Sequence, residues 1–234
     1  MRAIILAGGK GTRLRPYTYS LPKPLMPIGG ETPILGIILK QLQKNDFKRV
    51  TITVNYMAKI IQAFFGDGEE WGLNIDYSLE KKPLGTVGPL TLINDLPELF
   101  LVMNGDLLTD LNFKKFYEWH KKKGNDMSVA TFKRMTQNDS GVIQYDDELN
   151  IFRFKEKPIE YNHISMGIYI LNKSVVDVLP KNEKIGFDKL IIDAINNGLK
   201  IKAYPHESYW LDIGCNNDYE KANNYFLENR EKFL

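Results

Sequence analysis

Short apolar runs alternate with amphipathic segments through the first half of this sequence, and this alternation restricts the fold more than any other feature. The runs that predict buried strands cover residues 3–6, 50–54, 73–79 and 99–103. The segments between them carry apolar side chains at helical spacing and predict helices over 32–42, over 60–65 and from about residue 86. Strands and helices in alternation form βαβ units, so the sequence predicts a mainly parallel sheet.

The first predicted helix has a recognisable start and an apolar stripe. Thr32 is a favourable N-cap residue, and Pro33 suits the first helical position because the N–H it lacks has no partner there. Apolar residues then recur at helical spacing at Ile34, Leu35, Ile38, Leu39 and Leu42. We therefore expect a helix that begins at Thr32–Pro33 and buries this stripe.

The pattern changes after a helix predicted near residues 113–122. Strand-like runs then follow with fewer helices between them, over residues 127–132, 142–145, 151–154 and 164–171. Helical patterns return at 187–196 and 218–229. These features predict a mixed sheet in which antiparallel strands extend a mainly parallel one. Because no linker-like stretch marks a boundary, the sequence predicts a single α/β domain over residues 1–234.

The charge balance excludes several classes of partner. With 31 Lys and Arg against 29 Asp and Glu, the formal net charge is +2, which gives no broad basic surface for nucleic acid. No apolar run approaches the roughly 20 residues that span a bilayer. The single cysteine, Cys215, rules out an internal disulfide. We expect a soluble cytoplasmic protein without a signal peptide, a nucleic-acid partner or a membrane partner.

A glycine-rich turn follows the first predicted strand. Gly8, Gly9 and Gly11 leave backbone N–H groups accessible to an anion, because no Cβ blocks the approach. At the carboxyl end of a parallel strand, such a turn lies where α/β proteins bind phosphates and nucleotides. The spacing is not that of a P-loop, and Leu14 stands where a dinucleotide-binding turn has its third glycine. A glycine turn with a purely structural role is the alternative.

Three prolines surround Lys23 in the stretch Leu21–Pro27. Proline fixes φ and removes a backbone donor, so the stretch is predicted to be extended and stiff. Lys23 is then held on a rigid frame shortly after the glycine turn. A solvated lysine in a proline-rich connection is the alternative, and the nearby glycine turn favours the binding role.

Two aspartates follow strand-like apolar segments. Asp106 ends the run Leu101–Asp106, and Asp212 lies in Tyr209–Gly214. A carboxylate at the ligand-binding edge of a sheet suits Mg²⁺, which binds carboxylate, phosphate and water oxygens. Each aspartate by itself is equally typical of a turn or a cap.

The run Gly8–Pro16 followed by Pro22-Lys23-Pro24 resembles the signature of the sugar-1-phosphate nucleotidyltransferases, also called sugar-nucleotide pyrophosphorylases. The resemblance covers essentially the whole chain and is strongest to the guanylyltransferase branch for mannose-1-phosphate or glucosamine-1-phosphate. It implies a three-layer, Rossmann-like nucleotidyltransferase fold, Mg²⁺ as cofactor, and a nucleoside triphosphate and a sugar-1-phosphate as substrates. It also implies a bare catalytic domain, with a homo-oligomer as a further option.

The same resemblance implies a role for each motif. Arg13 and Lys23 contact the triphosphate, Arg13 supports the departing pyrophosphate, and Asp106 and Asp212 hold Mg²⁺; these four form the implied catalytic set. The implied nucleotide contacts are Leu6, Ala7, Gly8, Gly9, Gly11, Thr12, Arg13, Lys23, Glu80, Pro83, Gly85, Thr86, Asn104, Gly105 and Asp106. The implied sugar-phosphate contacts are Gly141, Glu156, Lys157, Ser165 and Asp212.

Glu80 bears on the choice of base. Guanine presents adjacent N1–H and N2–H₂ donors that a carboxylate accepts as a pair, whereas uracil and thymine present carbonyls beside a single N–H. Glu80 therefore favours GTP; UTP, dTTP and CTP are alternatives, as is a Glu80 that faces solvent. Ser165 stands where many relatives have asparagine, so the sugar stays open between mannose, heptose and glucosamine phosphates. A non-catalytic, nucleotide-sugar-binding regulatory subunit is the alternative from another class of function.

Overall fold

A mixed sheet of seven strands forms the centre of the protein, and the computed structural model describes all of residues 1–234. The strands are β1 (Arg2–Leu6), β2 (Pro27–Ile28), β3 (Thr32–Pro33), β4 (Arg49–Val54), β5 (Asn74–Leu79), β6 (Leu99–Asn104), β7 (Leu107–Thr109), β8 (Met127–Gln137), β9 (Val142–Tyr145), β10 (Ile151–Lys155), β11 (Ile159–Asn172), β12 (Ile201–His206) and β13 (Trp210–Asp212). The helices are α1 (Ile34–Lys44), α2 (Ala58–Phe65), α3 (Phe113–Lys123), α4 (Lys173–Asp177), α5 (Phe187–Asn196) and α6 (Asn216–Glu228). None of them has the length and apolar character of a membrane-spanning helix.

The strands of the central sheet lie in the order β12–β8–β11–β6–β1–β4–β5. Neighbouring strands are parallel except at β11, which runs antiparallel to both β6 and β8. The parallel half comes from the first part of the chain, where α1 connects β1 to β4 and α2 connects β4 to β5. Such crossovers return the chain to the same end of the sheet. The predicted mainly parallel sheet with an antiparallel part is confirmed.

Successive side chains of β1 enter different cores, because side chains alternate across a strand. Ile5 belongs to a large core that also contains side chains of α1, α2 and α3. Ile4 belongs to a second core on the opposite face, which contains side chains of α4 and α5. The sheet therefore lies between two helical layers, and the predicted three-layer α/β fold is confirmed. A third, smaller core joins α6 to Leu14, Leu108 and Ile213.

The helix predicted from about residue 86 does not exist; the chain forms only a short 3₁₀ turn, Gly88–Leu92. The backbone N–H of Val87 donates to the carbonyl of Ile185 (2.9 Å), and Ile185 donates in turn to the carbonyl of Leu84 (2.9 Å). Pairing with this distant segment uses the backbone groups that an α-helix would need. Gly85, at φ 80°, fits this turn without strain.

The start of the first helix also differs from the prediction. Thr32 pairs with Ile28 in the short β2–β3 ladder, Pro33 occupies the N-cap position, and no side chain caps α1. The first N–H of the helix, that of Ile34, instead donates to the backbone carbonyl of Met26 (3.0 Å). Tertiary pairing has replaced the side-chain cap. The apolar stripe of α1 is buried as predicted.

The second half of β8 and the first half of β11 form an arm that carries the β9–β10 hairpin. β8 pairs with β11 as far as Gln137 and Ile159. Along the arm the side chains turn from buried to exposed, and every residue of β10 is exposed. This arm is the predicted antiparallel extension, which is thereby confirmed.

Candidate active site

The carboxyl ends of β1 and β6 bring two of the predicted motifs together. β1 and β6 are parallel neighbours, with Leu6 opposite Asn104. Just beyond the strands, the N–H of Gly105 donates to the carbonyl of Leu6 (3.0 Å). The glycine turn and the segment Asn104–Asp106 therefore lie side by side, as the rule for ligand sites in α/β sheets predicts.

A short antiparallel ladder brings Asp212 to Asp106. β13 pairs with β7 so that Asp212 lies opposite Leu107, and the N–H of Ile213 donates to the carbonyl of Asp106 (3.0 Å). Burial raises the pKa of Asp212, and the nearby Asp106 carboxylate raises it further. Lys23 and Arg13 oppose this rise in the pKa, so both cations lie within electrostatic reach of Asp212.

The two oxygens of Asp106 have different surroundings. Oδ2 forms an ion pair with Nζ of Lys23. Oδ1 is buried and has no hydrogen-bond partner. A buried carboxylate oxygen without a partner, beside a second carboxylate whose pKa is raised, fits the oxygen ligands that Mg²⁺ requires. The residues present therefore fit the expected cofactor.

Arg13 and Lys23 approach the carboxylates from two 3₁₀ turns, Thr12–Leu14 and Lys23–Leu25. The predicted extended conformation is wrong at Lys23 itself, because the N–H of Met26 donates to the carbonyl of Lys23 (3.1 Å) and closes a turn. Gly11, at φ 61°, packs so closely that a Cβ there would lie 3.2 Å from the Cβ of Lys23. The guanidinium of Arg13 lies next to Gly214: a Cβ on Gly214 would be 3.4 Å from a guanidinium nitrogen.

A polar pocket of about 320 Å³ opens beside this cluster. Nine of the predicted nucleotide contacts line it: Leu6, Gly8, Gly9, Glu80, Pro83, Gly85, Thr86, Asn104 and Asp106. The other predicted contacts, which do not line it, are Ala7, Gly11, Thr12, Arg13, Lys23 and Gly105. Sequence reasoning missed four lining residues, Thr53, Asn55, Pro89 and Lys184. Thr53 and Asn55 lie at the carboxyl end of β4. Because β4 is the parallel neighbour of β1, its carboxyl end lies beside the glycine turn, and the predicted βαβ unit could have identified both residues.

Glu80 faces this pocket and not the solvent. Its residue is only 6% exposed, and its Oε2 accepts the N–H of Leu84 (3.2 Å). Its Oε1 lies so close to the glycine turn that a Cβ on Gly8 would be 2.6 Å from it. Burial raises the pKa of Glu80, and the hydrogen bond from Leu84 opposes that rise. A carboxylate therefore forms one wall of the pocket, directly against the glycine turn.

The predicted sugar contacts fall into two groups. Ser165 lies beside the cluster: its Oγ hydrogen-bonds the hydroxyl of Tyr169 (2.9 Å), and a Cβ on Gly167 would lie 2.6 Å from the amide of Asn104. Nearby, the indole N–H of Trp210 donates to the carbonyl of Met166 (2.9 Å), which ties this segment to β13. The second group, Gly141, Glu156 and Lys157, lies on the exposed arm, where a Cβ on Gly141 would be 3.2 Å from Oε2 of Glu156.

Another hollow, of about 940 Å³, lies elsewhere, against the face of β4 and β5. Arg2 and Arg49 contribute to its lining, and Asp76 and Asp95 form ion pairs with both of them. The hollow is therefore lined by arginines that these carboxylates neutralise, together with Lys81 and Lys82, which form no ion pair. It lacks the glycine turn and the Asp106–Asp212 pair, so the smaller pocket is the better candidate for the active site.

Comparison with known proteins agrees with this geometry. The nucleotidyl transferase family profile matches residues 2–229. The chain is 35% identical to a mannose-1-phosphate guanyltransferase of Schizosaccharomyces pombe, with 99% of this chain and 66% of the relative covered. It is 34% identical to a UTP–glucose-1-phosphate uridylyltransferase of Synechocystis, with 95% of this chain and 62% of the relative covered. The chain thus spans about two thirds of the length of these relatives.

A solved structure supports the fold assignment. HddC from Yersinia pseudotuberculosis, complexed with GMP-PN, has a TM-score of 0.72 and 27% sequence identity, with 96% of this chain and 99% of that chain covered. The expected Rossmann-like nucleotidyltransferase fold is therefore confirmed. Because the family profile extends over nearly every residue, from the first strand through the last helix, the chain belongs to the nucleotidyl transferase family.

Proposed function

We propose that this protein is a sugar-1-phosphate nucleotidyltransferase that joins a nucleoside triphosphate to a sugar-1-phosphate and releases pyrophosphate. One observation carries the proposal: two carboxylates and two cations meet at the end of β1 and β6, beside a pocket bounded by the glycine turn. Both substrates are anionic, and their mutual repulsion is the main obstacle to the reaction. Fixed positive charges, together with carboxylates that can bind a cation, reduce that repulsion.

In the proposed reaction a phosphate oxygen of the sugar-1-phosphate attacks the α-phosphorus of the triphosphate. A new P–O bond forms there, and the bond from the α-phosphorus to the oxygen that bridges to the β-phosphate breaks, so that pyrophosphate departs with that electron pair. Arg13 and Lys23 stabilise the charge that builds up on the departing group. Lys157 aligns the attacking phosphate, and Glu156 contacts sugar hydroxyls. No covalent enzyme intermediate is required.

Asp106 and Asp212 would hold a Mg²⁺ ion in this scheme. Such an ion supplies positive charge next to the reacting phosphates. Lys23 forms an ion pair with one oxygen of Asp106. A triphosphate offers Lys23 a more highly charged partner, which leaves the Asp106 carboxylate free to ligate the cation. The buried, unpartnered Oδ1 of Asp106 supports this assignment.

GTP is the favoured triphosphate, because the buried Glu80 carboxylate can accept both N1–H and N2–H₂ of guanine. We expect Glu80→Gln to lower the preference for GTP over UTP, measured as the ratio of kcat/KM values, by about ten- to a hundredfold, since one mispaired polar group in a dry pocket costs roughly 1–3 kcal/mol. Glu148→Gln, on the exposed hairpin turn, is the control. An unchanged ratio of kcat/KM values would show that Glu80 does not contribute to base selectivity.

Pyrophosphate release tests the function as a whole. The protein is incubated with Mg²⁺, one of GTP, UTP, dTTP or CTP, and mannose-1-phosphate, a heptose-1-phosphate, glucosamine-1-phosphate or glucose-1-phosphate. We expect release that requires both substrates and is fastest with GTP. Mannose-1-phosphate is the first sugar to test, since the Schizosaccharomyces pombe relative is named for it. Tight nucleotide binding with no release from any pair would favour the regulatory-subunit alternative.

A further inference from the structure

A segment far along the chain closes one side of the nucleotide pocket. This segment, Glu183–Phe187, is called the strap below. It pairs with the loop that follows Glu80: Ile185 exchanges backbone hydrogen bonds with Leu84 and Val87, both 2.9 Å long. The N–H of Phe187 donates to Oγ1 of Thr86 (3.1 Å). A Cβ on Gly88 would lie 2.6 Å from the carbonyl of Glu183, so the two segments are in close backbone contact.

The strap also reaches the sugar side of the site. The ring of Phe187 stacks on Tyr169, with centroids 3.7 Å apart and planes 8° apart. The hydroxyl of Tyr169 hydrogen-bonds Oγ of Ser165 (2.9 Å). The strap therefore connects the loop on the nucleotide side to a predicted sugar contact. The backbone of the strap is therefore fixed relative to both halves of the site, and Lys184 extends from it as an exposed side chain.

Lys184 is the strap residue that lines the nucleotide pocket. The only other charged residues that line it are Glu80 and Asp106, both carboxylates. Lys184 itself forms no ion pair, in contrast to Lys23. Because Lys23 pairs with Asp106, Glu80 and Lys184 are the two charged lining residues without an ion-pair partner, and Lys184 is the one that attracts a highly negative ligand. An ammonium group is a compact charge that suits phosphate better than the flat edge of a base.

We propose that Lys184 binds substrate phosphate from the strap side of the pocket, as a third cation besides Arg13 and Lys23. The proposal rests on the proposed function only in that it takes a nucleoside triphosphate as the ligand. Because Lys184 contacts phosphate and not the base, its contribution is the same for every triphosphate. This distinguishes Lys184 from Glu80, whose contribution depends on the base.

The test compares Lys184→Met with the wild-type protein in direct binding experiments. Affinities for GTP and UTP are measured by titration calorimetry with Mg²⁺ present, and guanosine is measured by competition. We expect GTP and UTP to bind ten- to a hundredfold more weakly to the variant and guanosine to bind within twofold of wild type. Lys184→Arg, which keeps the charge, should recover most of the loss. Lys181→Met, an exposed lysine close by that does not line the pocket, is the control.

Three outcomes would overturn the proposal. Unchanged GTP affinity in Lys184→Met shows that the lysine does not touch the ligand. A changed ratio of GTP to UTP affinity makes Lys184 a base contact instead. Weaker binding of guanosine together with a lower Tm shows a structural role of the strap. Binding is measured without turnover, so a wild-type protein that binds GTP and releases no pyrophosphate contradicts the proposed function and leaves the Lys184 comparison intact.

Discussion

Asp212 shows what the site requires of a single residue. Its carboxylate is partly buried and lies near Asp106, so both burial and repulsion raise its pKa. The ionised pair is unfavourable in the protein alone and would become favourable with the divalent cation that we propose these two groups hold. Functional sites commonly accept such a loss of stability in exchange for activity.

Asp212→Asn is expected to separate the effect of this carboxylate on activity from its effect on stability. Activity should fall by at least about a hundredfold, because an amide is a poor replacement for a charged ligand of the proposed cation. In metal-free buffer at neutral pH the variant should melt at the same temperature as the wild type or higher, because the repulsion with Asp106 is gone. Thermal unfolding with EDTA, together with pyrophosphate release, measures both effects.

The pH dependence of this comparison follows from the raised pKa of Asp212. Below the ordinary aspartate pKa the wild-type carboxyl is protonated in both the folded and the unfolded state. The variant is then no more stable than the wild type. As the pH rises through the raised pKa, the wild-type protein must ionise an unfavourable group, and the advantage of the variant grows. Asp147→Asn, on the exposed hairpin, should show no such trend. A variant less stable than wild type at neutral pH contradicts this account of Asp212.

At the scale of the elements, the central sheet and the arm have different tasks. β6 supplies fully buried side chains such as Phe100 and ends in Asn104 at the site. The arm carries Gly141, Glu156 and Lys157 just outside the ends of β9 and β10, strands whose side chains are mostly exposed. The sheet holds the carboxylates rigidly, while the arm presents groups proposed for the sugar phosphate from outside the core.

A matched pair of phenylalanines tests this division. Phe100→Ala removes a ring that is 0% exposed and should lower the free energy of unfolding by about 3–5 kcal/mol. Phe152→Ala removes a ring that is 67% exposed on the arm and should change it by no more than about 0.5 kcal/mol. Urea unfolding monitored by circular dichroism gives both values. A loss above about 2 kcal/mol for Phe152→Ala would mean that the arm packs as part of the core.

On the scale of the whole molecule, we propose that residues 1–234 form one cooperative domain. The central sheet takes strands from β1 near the start of the chain to β12 near its end. The last helix, α6, then returns to the first part of the chain, where the ring of Phe226 lies so close that a Cβ on Gly29 would be 2.7 Å from it. Outside the exposed β9–β10 hairpin, the strands of the central sheet and the helices packed on it share these cores.

A single unfolding transition is therefore expected by calorimetry and by fluorescence alike. GTP with Mg²⁺ at about 100 times its Kd should stabilise the folded state by about 2.7 kcal/mol, which for a chain of this size corresponds to a rise in Tm of roughly 5–10 °C. ATP at the same concentration, whose base offers Glu80 no matching pair of donors, is the control. Two separate transitions, only one of them shifted by GTP, would contradict the single domain.

The sequence alone determined the elements whose own side chains specify them. The apolar stripe of α1, the helix Phe187–Asn196 and the strand ahead of the glycine turn follow from periodicity, because an amphipathic pattern stabilises one local conformation wherever it packs. Residue patterns identified Asp106, Asp212, Arg13 and Lys23 as a candidate set, and the structure brings these four together.

Only the tertiary structure decided the features that depend on distant partners. Thr32 pairs with Ile28 in a short ladder while Met26 accepts the first N–H of α1, and the segment after Thr86 became a turn because Ile185 supplies backbone partners that no local pattern reveals. β12, an edge strand with Pro205, lacks a strand pattern of its own, and the strand-like run around Asp212 does not reveal its partner, yet the pairing of β13 with β7 is what places Asp212 beside Asp106. Lys184 likewise lines the pocket because the neighbouring Ile185 pairs with Leu84 and Val87. Backbone hydrogen bonds between segments a hundred residues apart are set by how the cores pack, and local sequence preferences contain no information about them.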